Sequence, residues 1–179
     1  MPGHTARRVL ARCGVPAPPP IGALTIGVTA HGLALVAFGD APGAVARAAA
    51  RLGEEVVDDP GLTGPVAAQL AEYLAGERRT VDVPLDRRLA SGTQRRVLDA
   101  LHAGVPYGTT TTYGELARRA GVVSARGIGS VMGSNPLPVV VPCHRVLGAD
   151  GLGGFGGGRA VKEWLLALEG VLTPALEFR

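Results

Sequence analysis

Cys13 and Cys143 are the only two cysteines among 179 residues, too few for a disulfide framework. No second cysteine or histidine cluster stands beside either, so the ligand spacing of a zinc site is missing. No apolar run approaches the roughly 20 residues that a membrane span needs. Pro16 to Pro20 interrupts any apolar segment behind Arg7, Arg8 and Arg12, so no signal peptide is read there. Glycine is abundant, yet no G-x-x-x-x-G-K-[ST] phosphate loop occurs. These absences predict a soluble, cytoplasmic protein with no metal, no cofactor and no membrane partner. Cys13 falls in an N-terminal segment read as mobile, where a thiol is incidental.

Hydrophobic residues make up 46% of the chain, enough to bury a core and to exclude global disorder. The length suits one domain or two small ones sharing an interface. Net charge is +3, and its distribution is uneven. Residues 1–90 hold nine arginines and nine acidic residues, whereas residues 91–179 hold nine basic against six acidic ones. A polyanionic partner would therefore meet the second half.

The first half reads as mixed α/β. Ala23 to Thr29 and Leu33 to Phe38 are apolar runs around His31-Gly32, a hairpin signal. Ala44 to Leu52 is rich in helix formers, Pro65 suits the first turn of a helix running to Ala75, and Thr80 to Leu85 suits a strand. No catalytic constellation stands out there, so scaffold is the expectation. The charged, small-residue stretch Asp86 to Gly92 is the candidate boundary between domains 1–88 and 89–179. Beyond it, Gln94 to Ala103 puts Val97, Leu98 and Leu101 on one helical face. Thr112 is an N-cap for a helix Tyr113 to Ala120, with Glu115 placed for a capping box and Gly121 as the stop. A further short helix is expected over Ser124 to Met132. Two short helices joined by a tight turn suit a helix-turn-helix, but also many helical pairs that bind nothing.

The prolines of Asn135-Pro136-Leu137-Pro138 and of Val141-Pro142-Cys143-His144-Arg145-Val146 preclude a regular helix. They predict an extended apolar segment that delivers Cys143 to a defined place. Gly148 to Gly158 follows as a loop with seven glycines, suited to close approach to a ligand. Ala160 to Gly170 closes the domain as an amphipathic helix with Trp164, Leu165 and Leu168 inward. A free thiol is only about 3% ionised at pH 7, so a nucleophilic Cys143 needs a base or a positive field. His144 and Arg145 adjoin it and Glu169 could orient the histidine. Strand neighbours face opposite ways, so contact would require a bridging water or a turn. Spacing alone leaves two readings open, a nucleophile or a buried structural cysteine beside a chance histidine.

Pro142-Cys143-His144-Arg145-Val146 resembles the active-site signature of the methylated-DNA–protein-cysteine methyltransferases, the O-6-alkylguanine-DNA alkyltransferases. The resemblance runs from about Gln94 to Gly170 through Tyr107-Gly108-Thr109, Tyr113-Gly114-Glu115-Leu116-Ala117, Ala125-Arg126, Gly133-Ser134-Asn135-Pro136 and Ala160-Val161-Lys162-Glu163-Trp164-Leu165-Leu166-Ala167-Leu168-Glu169-Gly170. The first half resembles the family loosely, mainly at Pro20 to Thr25 and Gly32-Leu33. It implies a ribonuclease-H-like α/β scaffold of a small sheet with flanking helices, followed by a mostly α winged-helix/helix-turn-helix domain. The implied activity is direct repair: one irreversible transfer of an alkyl group from O-6-alkylguanine, or from O-4-alkylthymine, to Cys143 in a base flipped out of double-stranded DNA. The implied protein is a monomer in solution that can cluster on DNA and needs no cofactor.

The same resemblance implies the residue roles. Cys143 would accept the alkyl group, activated through water by His144, with Glu169 completing the relay. Asn135 would hold the turn that carries the cysteine, and Tyr113 would donate toward the guanine ring. Carbonyls of Cys143 and Val146 would accept from the exocyclic amine, amides near Gly156 and Gly157 would face O-6, and Phe155 and Lys162 would belong to the substrate pocket. Arg126 would fill the gap left by the flipped base, with Tyr113, Gly127, Ser130 and Gly133 against DNA. Departures are also visible. The turn before Arg126 is one residue shorter, Val123 stands where proline is usual, and Gly127-Ile128 replaces Ala-Val. Phe155 and Gly156 replace a tyrosine and a serine, and the Thr93-Gln94 segment lacks the usual phenylalanine, with Leu98 in place of a tryptophan. Three other functions fit the sequence less well. An alkyltransferase-like lesion binder would lack the cysteine, a Cys-His hydrolase would need an oxyanion hole, and a transcription factor would not explain the Cys143 signature.

Overall fold

The computed structural model describes residues 7–122, 125–148 and 151–172. Its first domain is built from β1 (Val9–Pro16), β2 (Ala23–Thr29), β3 (Gly32–Phe38), α1 (Pro42–Leu52), β4 (Glu55–Val57) and α2 (Pro60–Leu74). The sheet order is β3-β2-β1-β4, antiparallel except that β4 runs parallel to β1. One face buries Leu10, Ala34 and Leu35 against Val45, Ala48 and Ala49 of α1. The other buries Leu24, Ile26, Val28, Leu33 and Val36 against Val66, Leu70, Tyr73 and Leu74 of α2. An irregularity at Gly27/Val28 shifts the β2–β3 register, which lets Ala34 and Leu35 both serve the α1 face.

The hairpin forms as read, but three expectations do not hold. Cys13 is a half-buried member of β1, paired with Ile26, rather than part of a mobile segment. The second helix starts at Pro60, because Asp59 caps it by accepting from the Gly61 amide at 3.1 Å; Pro65 lies in its interior, not its first turn. Thr80 to Leu85 is not a strand. Only its end pairs, where Leu33 N–H donates to the Pro84 carbonyl and Asp86 N–H to the Leu33 carbonyl, both at 2.8 Å.

The second domain contains α3 (Gly92–Gly104), β5 (Thr111–Thr112), α4 (Tyr113–Ala120), α5 (Ala125–Gly133), a 3-10 turn (Cys143–Arg145), β6 (Val146–Leu147) and α6 (Arg159–Leu168). Val97, Leu98 and Leu101 are buried as their spacing predicts. Of the three α6 residues expected inward, Leu165 is fully buried, with Val161, Lys162 and Leu166 beside it, whereas Trp164 and Leu168 are only partly buried. Ser124 and Val123 lie outside the described residues. β5 pairs in parallel with β6, Thr111 beside Val146, which ties the start of α4 to the residue three positions after Cys143. The core of this domain is continuous with the α2 face of the sheet, and Val36 N–H donates to the Pro136 carbonyl at 2.9 Å. The two domains therefore share one apolar interior. Among the described residues no helix is long and apolar enough to cross a membrane.

The α4 cap fixes where Tyr113 emerges. Thr112 Oγ1 accepts from the Glu115 amide at 3.2 Å and Gly121 ends the helix in the left-handed conformation. The Glu115 carboxylate does not reach back to complete a capping box. It pairs with Arg119 at 3.0 Å, a neighbour one turn ahead. Thr112→Ala is expected to cost about 1 kcal/mol in urea unfolding, and Thr112→Ser to restore most of it; equal stability of all three proteins would show that the cap contributes nothing.

Candidate active site

Cys143 is delivered by a rigid, proline-punctuated loop. The Asn135 side chain spans it, Oδ1 accepting from Leu137 N–H at 2.9 Å and Nδ2 donating to the Val141 carbonyl at 3.0 Å. Val141 N–H also donates to the Leu137 carbonyl at 2.8 Å. Inside this bracket buried Val139 is held at φ +73°, a strained conformation for a β-branched residue that only surrounding contacts can maintain. The chain then turns rather than running extended. Arg145 N–H donates to the Pro142 carbonyl and Val146 N–H to that of Cys143. Cys143 and His144 therefore do not face opposite ways along a strand, and both side chains are buried.

Glu169, just past the end of α6, is the charge at the centre of the site. It is fully buried and collects four donors. Arg145 Nε reaches Oε1 at 2.7 Å, and Arg145 Nη2 and His144 Nε2 both reach Oε2 at 2.9 Å. The Tyr73 hydroxyl from α2 also donates to Oε2. Burial pushes this carboxyl up, but the hydrogen bonds from His144, Arg145 and Tyr73 prevail and hold it down at about 2. It is therefore a carboxylate at every pH where the protein works, and can only accept.

That fixes the histidine. Nε2 must carry the proton that Glu169 accepts, so a neutral His144 presents a bare Nδ1. Burial pulls the His144 pKa down, with the Arg145 and Lys162 charges adding to the effect against the opposing pull of Glu169. The ring is accordingly neutral near pH 7. Nδ1 is buried and hydrogen-bonds to no described protein group. Burial likewise raises the Cys143 thiol, opposed by the Asn135 amide, the Lys162 ammonium and nearby backbone N–H groups. At rest the sulfur is a thiol beside an unprotonated base.

Cys143 opens onto a cavity of about 540 Å³, a volume that suits one small-molecule-sized group. Tyr113 lines it at the start of α4, Arg126, Gly129, Met132 and Gly133 from α5, and Gly154, Phe155 and Gly156 from the glycine loop. Arg126 and the small residues Gly127, Gly129, Ser130 and Gly133 are exposed. Gly153, at φ +72°, lies against Tyr113, where a Cβ would come within 3.0 Å of the phenol oxygen. Gly157 is squeezed between Phe155 and Phe38 of β3, and a Cβ there would sit 2.9 Å from the Phe38 ring. Phe38 meets Phe155 edge-on at 5.7 Å, so the first domain braces the loop. Lys162, the only lysine of the chain, does not line the cavity. It is fully buried and binds the Val146 carbonyl at 2.7 Å and the Gly154 carbonyl at 3.2 Å, joining the β6 backbone to the loop.

Cys143, His144 and Glu169 thus share one centre, Asn135 brackets the loop before it, and Tyr113, Phe155 and Gly156 line the cavity with Arg126 at its α5 side. Gly157 and Lys162 stand behind that wall. Two contributors escape sequence reasoning. Arg145 supplies half of the Glu169 hydrogen bonds although it sits within the motif that drew attention to Cys143. Tyr73 is 96 residues away from Glu169 and nothing in its local sequence marks it. The Arg119 guanidinium is occupied by Glu115 and the Gly104 carbonyl, whereas Arg118 is exposed.

A buried thiol, a neutral histidine and a buried carboxylate behind a glycine-rimmed cleft define a protein that uses cysteine as a nucleophile. Residues 92–171 match the profile described as 6-O-methylguanine DNA methyltransferase, DNA binding domain, and residues 17–87 that described as its ribonuclease-like domain. The chain is 47% identical over 120 residues to a methylated-DNA–protein-cysteine methyltransferase of Mycolicibacterium paratuberculosis, covering 66% of this chain and 72% of the relative. The Salmonella typhimurium protein of that name is 42% identical over 111 residues, 61% of this chain and 64% of its own. Mycobacterium tuberculosis OGT in complex with DNA superposes with a TM-score of 0.73 at 36% identity, covering 89% of this chain and 92% of that one. The chain belongs to the 6-O-methylguanine DNA methyltransferase family.

Glu169 ionises more readily folded than unfolded, so the stability it contributes is complete above the ordinary carboxylate range and is lost as pH falls toward about 2. Glu169→Gln leaves Arg145 buried without its counter-charge and should lower stability at pH 7 by about 3–5 kcal/mol. Urea unfolding at pH 7 and pH 3 should show the gap between wild type and variant narrowing in acid. A gap independent of pH would contradict an ionised Glu169.

Proposed function

We propose that this protein repairs alkylated DNA by direct reversal, moving the alkyl group of O-6-alkylguanine onto Cys143 once per molecule. The carrying observation is the Cys143–His144–Glu169 centre beneath a cavity bordered by Arg126, in a chain of this family. Double-stranded DNA is the partner, the basic second domain its docking surface, and the division between domains lies at residues 88 and 89. The α4–α5 pair acts as the helix-turn-helix of a winged-helix-type domain, with the exposed small residues Gly127, Ser130 and Gly133 permitting close approach of DNA. The target atom is stacked inside the duplex, so the base is turned into the cavity and Arg126 occupies the gap. The protein acts as a cytoplasmic monomer, and O-4-alkylthymine is a second substrate of the same chemistry.

The chemistry follows from the protonation states. Through a bridging water, His144 Nδ1 takes the thiol proton and the imidazolium is stabilised by Glu169. The Cys143 sulfur attacks the alkyl carbon, forming an S–C bond as the C–O bond breaks and its electrons pass to guanine. Tyr113 donates its phenol hydrogen toward the ring as negative charge develops, and amides near Gly156 and Gly157 face O-6. The carbonyls of Cys143 and Val146 accept from the exocyclic amine. Each already accepts one bond, from Val146 N–H and Lys162 Nζ respectively, and a carbonyl oxygen has two lone pairs. The thioether product has no acidic proton and is a very poor leaving group, so the sulfur is consumed. Phe155 and Gly156 leave the loop without side-chain hydroxyls at these two positions, so recognition there rests on backbone donors.

Cys143→Ala should abolish transfer of a labelled methyl group from duplex O-6-methylguanine while duplex binding persists in a mobility-shift assay. Transfer that survives this change would refute the assignment. Arg126→Ala should slow transfer from duplex by at least tenfold, about 1.4 kcal/mol of barrier, while a free O-6-alkylguanine base reacts at nearly the wild-type rate. Equal slowing of both would remove Arg126 from base extrusion.

A further inference from the structure

We propose that Tyr73, on α2 of the first domain, is a positioning residue for alkyl transfer, and that its hydroxyl sets how strongly Glu169 draws on His144. The proposal rests on the function above and assigns the first domain a part in it. Tyr73 is buried, and its hydroxyl donates to Glu169 Oε2, the same oxygen that receives His144 Nε2 and Arg145 Nη2. Three donors therefore compete for the two lone pairs of one oxygen, so weakening any one strengthens the carboxylate's hold on the others.

Tyr73 is itself held in place. Its ring meets that of Tyr107 edge-on at 6.2 Å, and the Tyr107 hydroxyl donates to the Leu168 carbonyl at 3.0 Å, one residue before Glu169. The end of α6 is thus gripped from two tyrosines, one per domain. Burial, together with the Glu169 charge and hydrogen bond, raises the Tyr73 phenol far above its ordinary value, so it remains a donor throughout the working pH range. Packing alone would be served by phenylalanine, and a hydroxyl buried beside a carboxylate is tolerated only when bonded.

Besides Tyr73 itself, the groups that face this centre are Arg79 after α2, His102 of α3 and Tyr107 beyond its end, Cys143 and Arg145 from the turn, and Lys162 from α6. All remain when the Tyr73 hydroxyl is removed. Glu169 then concentrates its charge on His144, the imidazole binds its proton more tightly, and a higher pH is needed to free Nδ1. The acid limb of the transfer rate must move upward. A residue that merely supports the fold would lower the rate equally at all pH values.

The test uses the full chain and a free O-6-alkylguanine base, so that DNA binding does not enter, with single-turnover rates from pH 5 to 9. Tyr73→Phe should shift the acid limb upward by about one pH unit, the size expected for one hydrogen bond to a charged group, with thermal melting confirming a folded protein. Replacing Tyr73 by 3,5-difluorotyrosine, a more acidic and stronger donor of almost the same shape, should shift it downward. Profiles that superimpose on wild type, or fall uniformly, would overturn the proposal. Should Tyr73→Phe fail to fold, the fluorinated protein decides alone, a downward shift supporting the proposal and an unmoved limb overturning it. Absence of transfer by the wild type would instead overturn the function on which it rests.

Discussion

A carboxylate with no access to water must have its charge answered by donors, and the way Glu169 is answered organises this molecule. Its four hydrogen bonds draw on α2, the Cys143–Arg145 turn and the end of α6, elements far apart in sequence. Removing water makes each of those bonds stronger and their absence more costly. The same bonds that anchor α6 to the sheet domain also dictate which nitrogen of His144 is bare. Fold and reactivity are therefore set by one cluster.

The cysteine is governed by a complementary constraint. Burial keeps Cys143 protonated at rest, which limits its reaction with stray electrophiles. The Asn135 bracket, the strained Val139 and the prolines hold it at the base of the cavity instead of allowing it to reach outward. A substrate must therefore be brought to the sulfur, and a base in a stacked duplex can arrive only by leaving the stack. The glycine loop leaves room for that approach while Phe38 and Lys162 fix its inner side. A thiol used once can be held this rigidly, because no product has to leave it.

What the sequence revealed was mostly local. The Thr112 cap, the Gly121 stop, the apolar face of α3 and the hairpin at His31-Gly32 each follow from a few adjacent residues. What it concealed depends on distant partners. Residues Val9, Leu10 and Ala11 of β1 are buried in succession without alternation, because the strand lies inside a sheet covered on both faces. Thr80 to Val83 has the composition of a strand, but among the described residues no strand pairs with it. Cys143, His144 and Glu169 were legible through a shared motif, whereas the turn that unites them requires the Pro142 and Cys143 carbonyls to accept from residues ahead. Tyr73 carries no local signal at all, since its importance comes from a carboxylate contributed by the other end of the chain.

Of all that this arrangement entails, the consumption of the Cys143 sulfur is the most exposed to direct measurement. Intact mass after incubation with a several-fold excess of duplex containing O-6-methylguanine should rise by a single methylene per chain and then stop, with the added mass mapped to Cys143. An unchanged mass, or repaired DNA accumulating beyond one equivalent per chain, would contradict the account.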